Sequence, residues 1–190
     1  MTGNLPSRKV IRLPGYDYSY PGLYFVTICT HDRKDIFGNI VACVGARHAS
    51  PAYMQLNRYG QLIKHIWKEL PAHYSVSLDS FQIMPDHIHF VIYIRNSGEA
   101  CLAPTITLGT IVGSFKSACT KQIRLMMNDS RYILWQRNYF EHIIKDEVDL
   151  KRIRYYIKQN PANWRNELNL PWRGRHWLSR WQWLHQSRAW

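Results

Sequence analysis

Residues 76–94 read VSLDSFQIMPDHIHFVIYI, two β-branched and aromatic runs of strand length parted only by Pro85-Asp86. Two strands with so short a break predict an antiparallel hairpin, the first arm from Val76 to Met84 and the second from His87 to Ile94. Side chains alternate faces along a strand, so His87 and His89 point one way while Ile88 and Phe90 point the other. A pair of imidazoles therefore converges at the start of the second arm.

Working outward, Leu23 to Thr30, LYFVTICT, is a further strand, and Asn39 to Ala52 reads as a loop or a hairpin with an inserted tip. Between Asn57 and Leu70, apolar Leu62, Ile63, Ile66, Trp67 and Leu70 recur at helical spacing, and Pro71 is expected to close that helix. After a Gly/Ala/Pro loop, Leu108 to Met127 carries the stripe Ile111, Phe115, Cys119, Ile123 and Met126, with Lys116, Lys121 and Arg124 off it. Ile133 to Ile144 predicts a strand region broken near Asn138; Asp146 then caps a helix from Glu147 to about Gln159 that Pro161 ends. The resulting order is strand, helix, strand, strand, helix, strand, helix. Its first six elements match the split βαβ, ferredoxin-like pattern, an α+β fold with an antiparallel sheet and helices on one face. The expected organisation is a basic N-terminal arm over residues 1–22, a catalytic domain over 23–160, and a C-terminal tail over 161–190 that holds six of the eight tryptophans among five arginines.

The chain has 190 residues, 25 Lys and Arg against 13 acidic residues, and a net charge of +12. Such an excess favours a polyanionic partner, although some basic proteins bind nothing in particular. Cys29, Cys43, Cys101 and Cys119 form no C-x-x-C pair, which argues against a zinc ribbon or a disulfide framework. No signal-type segment and no run of membrane-spanning length is apparent, so the expectation is a soluble, cytoplasmic, nucleoid-associated protein with no membrane partner.

Two strand histidines bind a divalent cation through neutral imidazole nitrogens but supply only two ligands. Alone, the pattern equally describes ordinary half-exposed strand histidines. The last helix offers a complement: in YYIKQNP, residues 155–161, Tyr156 and Asn160 are four apart and share a face while the helix persists. Tyr156 falls at the edge of the stripe Leu150, Ile153 and Ile157, where a phenol either enters a site or packs as a rim aromatic. Tyr155, about 100° around the helix from Tyr156, and Tyr139 are competing tyrosines. Asp86 either caps the turn or approaches a metal, and Glu141-His142 reads as structural.

Five blocks in order resemble the single-tyrosine HUH transposases associated with repetitive extragenic palindromes, over about Arg12 to Trp164: IRLPGYDYSYPGLYFVTICTHDR (Ile11 to Arg33), MPDHIHFVI (Met84 to Ile92), LGTIVGSFKSACT (Leu108 to Thr120), WQRNYFEHII (Trp135 to Ile144) and YIKQNP (Tyr156 to Pro161). The resemblance implies that His87 and His89 ligate Mg²⁺ or Mn²⁺, that Asn160 assists the metal where related transposases have Gln, and that Tyr156 attacks a phosphodiester to form a 5′-phosphotyrosine. It further implies a substrate of single-stranded DNA hairpins and a protein acting as monomer or homodimer. Candidate DNA contacts are Arg8, Lys9 and Arg12 on the arm, Lys116 and Lys121 on the long helix, and the Trp/Arg tail. Competing readings are a catalytically idle DNA-binding relative, a replication initiator or relaxase, and a His-x-His metal hydrolase.

Overall fold

The computed structural model describes residues 13, 15–41, 52–95 and 106–168, with no side-chain description from 165 onward. Arg8, Lys9 and Arg12 of the expected arm, Cys43, Cys101 and the tail from 169 onward lie outside the described residues. Along the chain run β1 (Gly22–Cys29), β2 (Gly38–Val41), β3 (Tyr53–Leu56), α1 (Arg58–His73), β4 (Val76–Ile83), β5 (His87–Ile94), α2 (Leu108–Met127), β6 (Phe140–Ile144) and α3 (Glu147–Leu168).

Four strands form an antiparallel sheet in the order β4-β5-β1-β6, and β2 pairs with β3 as a separate hairpin. Setting that hairpin aside leaves β1, α1, β4, β5, α2 and β6, the split βαβ order expected from the sequence. The central strands β1 and β5 are apolar on both faces, as a sheet covered on both sides requires. Tyr24, Val26, Ile28, Ile88, Phe90 and Ile92 pack with α1 and α2 residues such as Ile63, Trp67, Phe115 and Ile123. Phe25, Val91 and Ile144 alternate to the other face and pack with Leu150, Ile153 and Ile157 of α3. The expectation of helices on one face thus holds for α1 and α2, and α3 corrects it by covering the opposite face. The cause is that β1 and β5 carry apolar residues at consecutive positions, giving the second face a greasy strip that only another amphipathic element can cover.

Local chemistry sets the helix ends. The Asn57 side chain accepts from the Tyr59 and Gly60 amides at 2.9 and 3.0 Å and caps α1. The Thr107 hydroxyl accepts from the Thr110 amide at 3.1 Å at the head of α2, whose C-cap Asn128 sits in the left-handed region. Asp146 accepts from the Asp149 amide at 2.8 Å and caps α3 as the sequence predicts. Both prolines expected as stops lie inside helices. Pro71 falls within the last turn of α1, where the Tyr74 amide still bonds the Leu70 carbonyl at 3.0 Å. Pro161 lies within α3, so the helix runs through the expected 160/161 boundary rather than stopping there. Pro161 withholds one amide from the helix ladder, a loss offset by burial of Trp164 one turn on. Of the broken strand expected over 133–144, only β6 pairs fully, and Trp135 makes an isolated bridge to Thr30. Among the described residues no helix is long and apolar enough to cross a membrane.

Candidate active site

The α3 face of the sheet carries the two histidines. His87 and His89 are 4% and 3% exposed, and their neighbours across the strand pair are Cys29 and Thr27 of β1. Their Nε2 atoms converge to 3.0 Å, while each Nδ1 is tied from behind. Nδ1 of His87 lies 2.5 Å from the Asp86 carboxylate, and Nδ1 of His89 lies 2.7 Å from the Thr27 hydroxyl. A carboxylate only accepts, so His87 Nδ1 donates to it, which in the neutral ring leaves Nε2 to accept on the side of His89. Burial, then His87 and Arg33 in decreasing order, push the His89 imidazolium well below the ordinary histidine range, which keeps His89 neutral.

Helix α3 delivers the rest. The Tyr156 hydroxyl lies 3.4 Å from His89 Nε2, and the phenol sits edge-on to both His89 and Phe25. Two turns later the Trp164 indole lies 5.8 Å from the His87 ring. Asn160 falls midway on that same helix face, between the residue touching His89 and the residue touching His87. It is 1% exposed, and neither amide atom finds a hydrogen-bond partner in the protein. An unsatisfied buried amide is costly, so its presence on the helix face turned to the histidine pair points to a ligand.

Of the four site residues expected from the sequence, His87, His89 and Tyr156 therefore meet, and Asn160 is buried on the helix face between the contacts of Tyr156 and Trp164. The competing tyrosines do not join them: Tyr155 is 68% exposed, and Tyr139 packs on the opposite side of the sheet with the α1/α2 core. Asp86 neither caps the turn nor stands among the converging nitrogens; its side chain bridges His87 and Arg33, whose Nε is 2.8 Å away. His142 is structural, bonded to Asp149 at 2.7 Å between β6 and α3. Lys116 and Lys121 belong to α2, on the face away from Tyr156. The Lys116 ammonium donates to the carbonyls of Gln136, Arg137 and Asn138 at 2.7, 3.2 and 3.4 Å, which makes it a clamp for that loop. Lys121, Arg124 and Arg137 line a groove of about 720 Å³ between α2 and the 128–137 segment. Sequence reasoning passed over Thr27, Arg33 and Trp164, whose roles depend on strand register and on the continuation of α3.

Among the described residues no group of three or more His, Cys, Asp or Glu could hold a metal. The donor set to test is therefore two imidazole nitrogens plus the orphaned Asn160 amide, with the phenol alongside. The 3.0 Å approach of the two Nε2 atoms requires a proton or a cation between them, so these residues fit a divalent ion in place of that proton. The carbonyl oxygen suits Mn²⁺ or Mg²⁺, and the imidazole nitrogens favour a transition ion over Mg²⁺.

Residues 23–160 match the family model described as transposase IS200 like, and the chain belongs to that family of DNA-processing enzymes. An uncharacterized Haemophilus influenzae protein is 35% identical over 175 residues, spanning 84% of this chain and 91% of its own. A second protein of that organism, named as a REP-associated tyrosine transposase, is 26% identical over 150 residues, with 77% and 73% of the two chains covered. Among solved structures, a REP-associated tyrosine transposase bound to a REP hairpin superposes with a TM-score of 0.49 at 16% identity, covering 80% of this chain and 74% of that one. A Deinococcus radiodurans protein assigned as a transposase gives 0.45 at 14% identity, with 78% and 96% covered.

Proposed function

We propose that the protein nicks and rejoins single-stranded DNA beside extragenic palindromic hairpins, through a covalent bond between Tyr156 and a 5′-phosphate. The observation that carries this reading is the approach of the Tyr156 hydroxyl to His89, 3.4 Å, on the helix face that also holds the orphaned Asn160 amide. His87, His89 and Asn160 would hold Mn²⁺ or Mg²⁺, which supplies a Lewis acid for the scissile phosphate. The chain's own part is positional. Phe25 and Trp164 wall the site, and burial keeps His89 neutral as a nitrogen donor. Tyr156 O attacks phosphorus, the P–O3′ bond breaks, and the 3′ oxygen leaves with a proton as a free hydroxyl. The phosphotyrosine keeps the ester bond, so a 3′-hydroxyl can later attack it, release Tyr156 and join strands.

The +12 charge and the groove bearing Lys121, Arg124 and Arg137 support a nucleic-acid substrate. A relative whose name ties it to REP elements supports the palindromic class of hairpin. Incubating labelled hairpin DNA with Mn²⁺ or Mg²⁺ and running a denaturing gel tests the reading. A covalent adduct absent from Tyr156→Phe is expected; binding without adduct in every hairpin and metal would make the protein an idle DNA-binding relative.

A further inference from the structure

We propose that Arg33 is a positioning residue that acts through Asp86 on His87, an inference that rests on the proposed role of His87 as a metal ligand. The Asp86 carboxylate is buried, and its two oxygens face two partners: Oδ1 the Nδ1 of His87 at 2.5 Å, and Oδ2 the Nε of Arg33 at 2.8 Å. Arg33 thereby fixes the carboxylate plane that in turn fixes the imidazole plane and tautomer. The far end of the same guanidinium, Nη1, lies 2.8 Å from Cys29 Sγ, and Cys29 is the residue paired with His87 across the sheet. One planar fork thus spans the β1 end and the β4–β5 turn, a geometry that a lysine cannot reproduce.

The backbone around Arg33 is built for that reach. Asp32 and Arg33 both sit in the left-handed region at φ 55°, without a glycine between them. Such conformations persist only where surroundings over-determine them, and they concentrate at functional sites. Here the surroundings are four hydrogen bonds joining this segment to the turn before His87. The Thr30 amide and hydroxyl both reach the Asp86 carbonyl at 2.9 Å, and the Ile36 and Phe37 amides reach the Pro85 carbonyl at 2.8 and 3.2 Å. The strained turn swings the Arg33 side chain back under the strand end instead of out to solvent. A carboxylate behind a metal-bound histidine sets ligand orientation and affinity, and losing such a partner typically weakens metal binding by about 10- to 100-fold.

The test compares wild type, Arg33→Ala and Arg33→Lys by Mn²⁺ titration, by ¹⁵N shifts of the His87 ring without metal, and by nicking kinetics. Expected are one Nδ1–H tautomer of His87 in wild type and a tautomer mixture in Arg33→Ala. Its Mn²⁺ affinity should fall at least tenfold and its kcat with it, at unchanged KM for hairpin DNA, with partial recovery in Arg33→Lys. If Arg33→Ala fails to fold, Arg33→Lys carries the test through the same tautomer and affinity readouts. Wild-type tautomer and Mn²⁺ affinity in a folded variant would overturn the proposal, as would a rise in KM alone, which would make Arg33 a DNA contact. Wild type taking up no Mn²⁺ would overturn the metal reading instead, while the ring tautomers would still decide whether Arg33 orients His87.

Discussion

Asn160 is the residue whose surroundings make least sense without a ligand. Its amide is buried with no partner, and an unsatisfied buried polar group costs about 1–3 kcal/mol. A purely structural position would not retain it, because a leucine of similar size would fill the space without that penalty. Asn160→Leu is therefore expected to leave thermal stability unchanged or raise it by about 1 kcal/mol, while abolishing Mn²⁺ uptake and the DNA adduct. Melting curves beside a metal titration check both halves; a destabilised variant with intact metal binding would assign the amide to packing. At this scale the sequence was legible wherever a local period does the work. Strand alternation put His87 and His89 on one face, and the helical period separated Tyr156 from Tyr155. It was opaque where contacts cross the chain: Thr27 meets His89 only because of the register between β1 and β5, and nothing local to Arg33 announces that it reaches Asp86.

At the level of elements, the site depends on where α3 lies against the sheet. A bulge in β4 between Leu78 and Phe81 turns Asp79 toward this helix, and Arg154 meets its carboxylate with two bonds, Nε at 3.0 Å and Nη2 at 2.6 Å. The hydrogen bond from Arg154 is the main cause that holds the Asp79 carboxyl below its usual range, against the opposing effect of burial. The pair is partly solvated, so Arg154→Ala is expected to cost only about 0.5–1 kcal/mol at neutral pH. The sign of its pH dependence follows from the lowered carboxyl. The pair's contribution is complete above the unfolded carboxyl value of 3.8 and disappears as pH falls through the lower folded value. Wild type and Arg154→Ala should thus differ in denaturant midpoint at pH 7 and converge in strong acid; a gap independent of pH would mean that the arginine acts through its apolar stem. The limits of α2 were readable to the residue, because its stripe is long and a Gly/Ala/Pro loop precedes it. The length of α3 was not, since Pro161 is a stop signal that the packing of Trp164 over His87 overrides.

Across the whole molecule, one sheet separates two tasks. The α1/α2 face holds the larger core, and the α3 face holds the histidine pair and Tyr156, the proposed seat of the chemistry. The basic groove lies on the α2 side yet is anchored to the catalytic end of the sheet: the Gln136 amide bonds the Cys29 carbonyl at 2.9 Å, and Cys29 is the cross-strand neighbour of His87. A strand lying in the groove would accordingly reach the histidines by turning around one sheet edge. The net charge and the basic side of α2 were visible in the sequence, but the addition of Arg137 to that side was not, because Arg137 comes from a loop that Lys116 clamps and the Gln136 amide ties to Cys29. On the proposed function Lys121 and Arg137 would neutralise phosphates, while Lys116 is already spent on carbonyls. Changing both Lys121 and Arg137 to Gln should weaken hairpin DNA binding and flatten its dependence on salt by about 1.4 in log–log slope, at roughly 0.7 per single-strand phosphate contact. Mn²⁺ affinity should not change, because the groove and the histidines share no ligand. Fluorescence anisotropy across a salt series measures the slope; a slope equal to wild type would move the DNA path off this groove and onto the basic segments at the two ends of the chain.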